Sequence, residues 1–307
     1  MPVAAVTLLH GIVNGSTFIS QFNGAAEVSP MIEAMVANPA GLVDPMFVAN
    51  MGQKQELRFP SSQLKTILDL TGVTVYDLSG ANTDLHFKAA ADQGSRGASA
   101  SLLHHRFRAA QGLLMVESIS AGHRSEAVAT CRLICGYDGT NVPIVYAGSL
   151  AIAGTPTSAE HFVLGECHLN GSEIDGVQDL TIDFGRQMIQ VGGSGELYDT
   201  FNAEGVVSPT ITIRCYGTGA MWTAATLNGV AVASGSFYLR KMATVGRVAD
   251  GTAEHIKFAV TNGIAYIETT SGDGMSPDIT TITIKPVAAS ATAKALVLSS
   301  TAVAMTN

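Results

Sequence analysis

The sequence has few charged residues. Lys, Arg, Asp and Glu make up 14% of its 307 residues, against the roughly 25% that is usual in globular domains. The 17 basic and 25 acidic side chains leave a net charge of −8. No cluster of Lys or Arg interrupts this acidic balance, which argues against a protein that grips nucleic acid. We therefore expect less solvated surface than a chain of this length usually has.

Bulky apolar residues and long apolar runs are also scarce. Apolar residues make up 47% of the chain but aromatic residues only 6%, so small side chains such as Ala and Val supply most of that content. No uninterrupted apolar run reaches the roughly 18 residues of a membrane-spanning helix. Residues 1–13 are apolar, but the first basic residue is Lys54, so we predict no secretory signal.

Cysteine is rare, and its spacing fits neither a disulfide framework nor a zinc site. The four cysteines form no CxxC pair and have no His at ligand spacing; they are Cys131, Cys135, Cys167 and Cys215. We predict free thiols, as in a reducing compartment. Cys131 and Cys135 are predicted to be small core residues on one face of a strand.

Motifs for catalysis and cofactor binding are missing. The glycine-rich stretch at residues 192–195 lacks the Lys-Ser/Thr of a phosphate loop, and no GxSxG surrounds Ser118. His104 and His255 are predicted to be hydrogen-bonded residues at the edge of a core, with a shared site as the alternative. We therefore expect no enzyme, with no catalytic, cofactor-binding or metal site and no cofactor.

What the sequence does contain is an internal repeat, in which blocks of residues match in order at a nearly constant offset. The best block aligns without a gap: His104, Arg106, Phe107, Gly112, Glu117 and Ser118 on His255, Lys257, Phe258, Gly263, Glu268 and Thr269. Chance agreement between two β-rich stretches is the alternative. The repeat predicts two units, residues 1–150 and 151–307, joined by a linker at residues 147–157.

Each unit is predicted to be an antiparallel β-barrel or sandwich with one short helix, so the fold class is mainly β. Residues 179–184 and 210–213 alternate polar and apolar side chains, which is typical of strands. Asn-Gly pairs, which favour hairpin turns, occur at 14–15, 170–171 and 262–263. One helix would follow a cap at Ser61-Ser62 and end at Gly72, and its counterpart would span residues 220–227.

Each unit also contains a long segment between strands, at residues 36–55 and 188–209. Segments of this length inside compact β units are usually functional. The first segment is rich in large apolar side chains that a free loop would expose to water: Leu42, Val43, Met46, Phe47, Val48 and Met51. Such a surface predicts a binding partner.

The layout of the second unit resembles the tail tube proteins of long-tailed bacteriophages. It consists of the run 164–172 (LGECHLNGS), residues 174–177, the alternating strand to Phe184, and the loop to Pro209 before the next strand. The resemblance covers nearly the whole chain and implies β-barrels with a flanking helix and a long loop-hairpin, stacked as rings around a DNA channel. A two-barrel version forms trimers with pseudo-sixfold symmetry. The first unit departs at residues 23–28, where the strand is weaker.

The resemblance implies a structural virion protein, located in the virion tail and assembled in the host bacterial cytoplasm. Its partners would be copies of itself in homotrimer rings, other tail proteins at the tube ends, and double-stranded DNA in transient non-specific contact, with no membrane. A capsid decoration protein, a tail-end adaptor and a lectin-like binding protein are the alternatives.

Two groups of residues follow as candidate functional positions. Polar positions of the first long strand of each unit are expected to line the channel: Asn23, Glu27, Asp179, Thr181 and Asp183. Positions in the two long segments are expected to make contacts between subunits or between stacked rings: Leu42, Val43, Met46, Phe47, Val48, Leu197, Tyr198 and Phe201.

Overall fold

A computed structural model describes most of the chain: residues 7–13, 15–19, 22–37, 40, 44–78, 82–88, 104–150, 160–216, 228–272 and 278–305. The fold is mainly β, with one short helix and several antiparallel sheets. The predicted fold class is thereby confirmed at this level. The described strands form open sheets, and none of these closes into a barrel.

The elements of residues 7–150 are β1 (Thr7–Val13), β2 (Thr17–Ile19), β3 (Glu27–Ser29), β4 (Ile32–Ala37), β5 (Phe47–Gln53), β6 (Glu56–Ser61), α1 (Leu64–Thr71), β7 (Tyr76–Asp77), β8 (Thr83–Lys88), β9 (His104–Ala109), β10 (Gly112–Gly122), β11 (Val128–Cys135) and β12 (Ile144–Leu150). Those of residues 160–305 are β13 (Phe162–Leu169), β14 (Ser172–Glu173), β15 (Val177–Asp183), β16 (Arg186–Val191), β17 (Phe201–Val207), β18 (Thr210–Tyr216), β19 (Val230–Val232), β20 (Gly235–Lys241), β21 (His255–Val260), β22 (Gly263–Ser271), β23 (Ile279–Pro286) and β24 (Val297–Val303).

The strands of the two halves pair in the same pattern. The first small sheet has the order β12-β9-β8-β1-β2, and the second small sheet has the matching order β24-β21-β20-β13-β14. The first hairpin is β4–β5 and the second hairpin is β16–β17. The order β10-β11-β6-β3, with β7 on β10, is repeated as β22-β23-β18-β15, with β19 on β22. The pairing therefore follows the internal repeat, while the division at residue 150 stays a prediction.

One strand pairing has no counterpart within the chain. Strand β10 of the first half pairs with β15 of the second half, from Ser118 opposite Asp183 to Gly122 opposite Asp179. This pairing joins both sets of strands into one long sheet, which runs from β3 at one end to β19 at the other. We call it the long sheet.

Glycines mark the corners where the chain leaves a small sheet for the long sheet. Gly112 and Gly263 have φ angles of 154° and 156°, and a Cβ at either position would clash with a carbonyl oxygen of the neighbouring strand. The hairpin predicted at Asn262-Gly263 is therefore wrong, because β21 and β22 belong to different sheets. Asn170-Gly171 does close a hairpin, between β13 and β14, with φ angles of 51° and 81°. Asn14 lies outside the described residues.

Helix α1 forms where the sequence predicts it, but with a different start. The residue before the helix is Gln63, which makes no capping bond from its side chain to the backbone, while Ser61 Oγ accepts a hydrogen bond from the Gln63 N–H (3.1 Å). Gly72 ends the helix with a φ of 57°, as predicted. The helix predicted at residues 220–227 lies outside the described residues. Of the predicted linker, residues 147–150 belong to β12 and residues 151–157 lie outside the described part.

The buried side chains of both halves join one hydrophobic cluster, which includes residues of the long sheet, both small sheets and α1. The four cysteines are buried and free, and burial raises the pKa of each thiol, to about 12 at Cys167 and about 11 at Cys215. His104 and His255 are buried at equivalent strand starts. The Lys241 N–H donates to His255 Nδ1, and His255 Nε2 bonds to the Ala249 carbonyl oxygen, both at 3.1 Å.

Candidate assembly surfaces

The long sheet has one polar and one apolar face. Along β15, Leu180 and Ile182 are buried in the core, while Thr181 and Asp183 are exposed on the other side. Residues directly opposite each other on neighbouring strands share a face. The registers from β15 through β10, β11 and β6 to β3 therefore place Glu27 on the same face as Asp183. Four predicted channel positions thus share this polar face: Glu27, Asp179, Thr181 and Asp183.

The fifth predicted channel position, Asn23, precedes β3. It is exposed, and its side-chain amide donates to Glu126 Oε2 at 3.4 Å. Asn23 therefore lies beside the loop that follows β10.

The arginines of the polar face lie against carboxylates. Arg132 Nε donates to Glu56 Oε2 at 2.7 Å, and Arg58 Nε lies 3.2 Å from Glu56 Oε1. Glu117 approaches the same two arginines at 3.4 and 3.6 Å. In the second half, Arg214 pairs with Asp179 at 3.4 Å. The positive charge of these arginines is thereby balanced within the sheet.

Hydroxyl groups occupy much of the rest of this face. One row of opposed residues crosses four strands: Ser120, Thr181, Thr212 and Thr283. Glu268 accepts a hydrogen bond from the Thr283 hydroxyl, and Lys285 Nζ donates to the Thr210 hydroxyl at 2.7 Å. The face is therefore polar and weakly acidic, with its arginines already paired.

The first hairpin exposes large apolar side chains. Of the segment predicted as a loop at residues 36–55, residues 36–37 and 47–53 belong to strands, because β4 and β5 pair from Ile32–Gln53 to Ala37–Phe47. Met46 is 71% exposed, Phe47 53% and Val48 64%. Met31, Ile32, Met35, Val36 and Met51 are exposed as well. Of the predicted contact residues, Leu42 and Val43 lie outside the described part of the chain.

The second hairpin differs because its end lies on the first half of the chain. The Gln53 N–H donates to the Leu197 carbonyl oxygen at 2.8 Å, and the Tyr137 N–H donates to the Asp199 carbonyl oxygen at 3.1 Å. The rings of Tyr137 and Tyr198 lie 5.5 Å apart. Tyr198, predicted to contact other subunits, is thus half-buried within its own chain, whereas Phe201 is 58% exposed.

A buried ion pair lies between the strands of the second hairpin. Arg186 pairs with Glu204, and its guanidinium lies 5.6 Å from the centre of the Phe184 ring. Burial lowers the pKa of Arg186 from its ordinary value. A cleft of about 260 Å³ opens beside this pair, and its lining includes Val73, Thr74, Val207, Pro209, Ala288 and Leu296.

No protein-family model and no curated protein sequence matches the chain. Within the described ranges, no three or more His, Cys, Asp or Glu side chains are grouped so that they could hold a metal ion. A search of the same residues finds no helix with the length and hydropathy needed to span a membrane. The candidate functional surfaces are therefore the polar face of the long sheet and the two hairpins.

Proposed function

We propose that this protein is a structural subunit of a phage tail tube, whose copies form rings that stack around a channel for DNA. The polar face of the long sheet carries the proposal. Duplex DNA has one negative charge per about 1.7 Å of its axis, and proteins hold it mainly through cations on its phosphates. A wall whose arginines are paired with carboxylates, and whose Lys285 bonds to the Thr210 hydroxyl, offers few such contacts, so DNA slides past it without sticking.

The two hairpins support assembly rather than catalysis. Exposed apolar surface on this scale is typical of a chain that binds a partner, and the partner is a further copy of the chain. The protein is then a non-enzymatic component of the virion tail, assembled in the bacterial cytoplasm. Other tail proteins would bind at the tube ends, and DNA would be in transient contact with the channel.

Electron microscopy of the purified protein tests this function. We expect tubes or stacked rings, each ring made of three chains whose six halves surround one axis. Compact trimers that never stack would favour a capsid decoration protein or a tail-end adaptor instead. A ring of six chains, or a protein that stays monomeric at high concentration, would contradict the proposal.

A charge reversal tests which face lines the channel. The double variant Thr181→Lys, Asp183→Lys adds free cations to the polar face, so its tubes are expected to retain DNA at low salt and release it as salt rises. The control variant Ser290→Lys, Thr292→Lys adds the same residues to an exposed turn outside the long sheet. Retention of DNA by the control alone would place another surface in the channel.

A further inference from the structure

The contact between the two halves gives a template for a contact between two chains. Within the chain, β10 pairs with β15, and the backbone bonds on either side of this pairing fix its geometry. The Phe184 N–H donates to the Glu117 carbonyl oxygen at 2.9 Å, and the His123 N–H donates to the Gln178 carbonyl oxygen at 2.7 Å. Hydrogen-bonded and non-hydrogen-bonded pairs alternate in antiparallel sheets. Ser118–Asp183 and Ser120–Thr181 are therefore non-hydrogen-bonded pairs.

The repeat leaves the equivalent edges unpaired in the described part of the chain. Strand β22 is the counterpart of β10, and β19 covers it only at residues 263–265, just as β7 covers β10 only at residues 113–114. Strand β3 is the counterpart of β15 and ends the long sheet. The free stretch of β22 and the outer side of β3 are thus the two edges that match the internal pairing.

A β-bulge fixes the register between the repeats. The pairing of β10 with β11 shifts between Val116 and Ser118, and that of β22 with β23 shifts between Ile267 and Thr269. The bulges lie at Glu117 and Glu268, which the repeat aligns, and bulges set the twist and aim of a strand. Thr269 therefore stands where Ser118 stands, and Ser271 where Ser120 stands. Arg58 on β6 and Thr212 on β18 are equivalent, because they lie opposite the aligned residues Arg132 and Thr283. Glu27 lies opposite Arg58, and Thr181 lies opposite Thr212. On β3, Glu27 therefore stands where Thr181 stands, and Ser29 where Asp183 stands.

A second contact repeats in the same way. The end of the second hairpin lies on Gln53 and Tyr137 of the first half, and the repeat equates these positions with Val207 and Ala288. Val207 is 45% exposed, and both residues line the cleft of about 260 Å³. The counterpart of the second hairpin is the first hairpin, whose apolar residues are exposed. The second half thus offers an apolar site where the first half already holds a hairpin.

We infer that the second half of one chain binds the first half of another copy through these two contacts. Strand β22 pairs antiparallel with β3 of the second copy, with Thr269 opposite Ser29 and Ser271 opposite Glu27. The end of that copy's first hairpin covers Val207 and Ala288. Because the two surfaces differ, the contact is head to tail and closes into a ring if the rotation allows. This inference rests on the proposed function and names the contact within a ring.

Disulfide cross-linking tests the register. Side chains of non-hydrogen-bonded pairs are close enough for a disulfide, so the variant Glu27→Cys, Ser271→Cys is expected to cross-link between chains under mild oxidation. The matched control is Glu27→Cys, Thr270→Cys, because Thr270 lies on the opposite face from Ser271. The native thiols are buried, and their raised pKa values keep them in the unreactive form.

Mixtures of single variants test the direction of the contact. Glu27→Cys protein mixed with Ser271→Cys protein is expected to give a covalent dimer, while neither alone gives one. A dimer from Glu27→Cys alone would show that β3 pairs with itself and would overturn the inference, as would equal cross-linking of the control pair. Thermal melting of each variant before oxidation confirms that it is folded.

The outcomes separate this inference from the tail tube function. Tubes that form without the 27–271 cross-link overturn the edge contact and leave the tube function standing. Cross-linked rings that never stack support the edge contact and contradict the tube function. A monomer that neither cross-links nor assembles overturns both.

Discussion

The two hairpins hold equivalent places in the repeat but have different surroundings. The end of the second hairpin bonds to Gln53 and Tyr137 of the first half. In the described part of the first hairpin's end, Met46 bonds back to Ala37 of the same hairpin, through its N–H at 3.2 Å. Phe47 and Val48 beside it are exposed. The second hairpin thus bonds to the other half of its own chain, while the described end of the first hairpin leaves apolar side chains exposed to solvent.

The largest difference in effect between the two hairpins is expected when each is shortened at matched positions. Deleting residues 40–47 is expected to leave the melting temperature nearly unchanged and to abolish tubes, because the proposed function assigns those residues to contacts with other copies. Deleting the equivalent residues 194–201 removes the bonds of Leu197 and Asp199 and the contact of the Tyr198 ring with Tyr137. That deletion is expected to lower the free energy of unfolding by about 2–4 kcal/mol. Tubes formed by the first deletion variant would contradict this division of roles.

The two halves also differ in how they contribute to the stability of the chain at acidic pH. His86 in β8 is 3% exposed, and burial lowers its pKa from 6.5 to about 4, whereas the repeat places Tyr238 at the equivalent position. Below pH 6.5 the unfolded chain takes up a proton at this histidine, but the folded chain takes it up only near pH 4. As the pH decreases across this window, the free energy of unfolding therefore decreases by about 3 kcal/mol.

Replacing His86 by the residue of the other half tests this contrast. The variant His86→Tyr is expected to lose that part of the acid sensitivity, measured by urea unfolding at several pH values. His86→Gln, which is closer in size, serves as the second variant. If both variants lose stability between pH 6.5 and 4 as steeply as the native chain, His86 is not the group responsible.

A smaller effect is expected from the charges of the long sheet. Glu56 has a side chain only 8% exposed, between Arg58 and Arg132, and the repeat places Thr210 at the equivalent position. Glu56→Gln is expected to cost about 2 kcal/mol, because it weakens charge-assisted bonds to two arginines. Thr210→Val is expected to stay within about 0.5 kcal/mol. Equal effects in denaturant unfolding would mean that the first half does not depend on its ion pairs.

Much of the fold follows from local patterns in the sequence. The alternation of Leu180 and Ile182 with polar neighbours predicts β15 and its two faces, and the strand is buried and exposed accordingly. The aligned glycines Gly112 and Gly263 mark equivalent corners, although an Asn-Gly pair alone does not distinguish a hairpin from a turn between sheets. The weak pattern at residues 23–28 predicts a weaker strand, and only Glu27–Ser29 is a strand there.

The contact between the halves does not follow from local patterns. Strands β10 and β15 are far apart in the sequence, and their pairing depends on the packing of both halves. The first hairpin is not evident from its own residues, because β4 carries apolar residues on both faces and shows no alternation; only the resemblance to tail tube proteins implies a loop-hairpin there. The only sequence signal for the Tyr137–Tyr198 contact is a pair of isolated tyrosines, and nothing in their spacing connects them.

The pairing of β10 with β15 also ties the unfolding of one half to that of the other. If the first half unfolded alone, β15 would lose its neighbour and the side chain of Ile182, buried beside Ile119, would meet water. The amide hydrogens of Phe184 and His123 bond across this boundary, so they are expected to exchange with solvent when the halves separate. Their exchange rates therefore report the free energy that holds the two repeats together in a single chain.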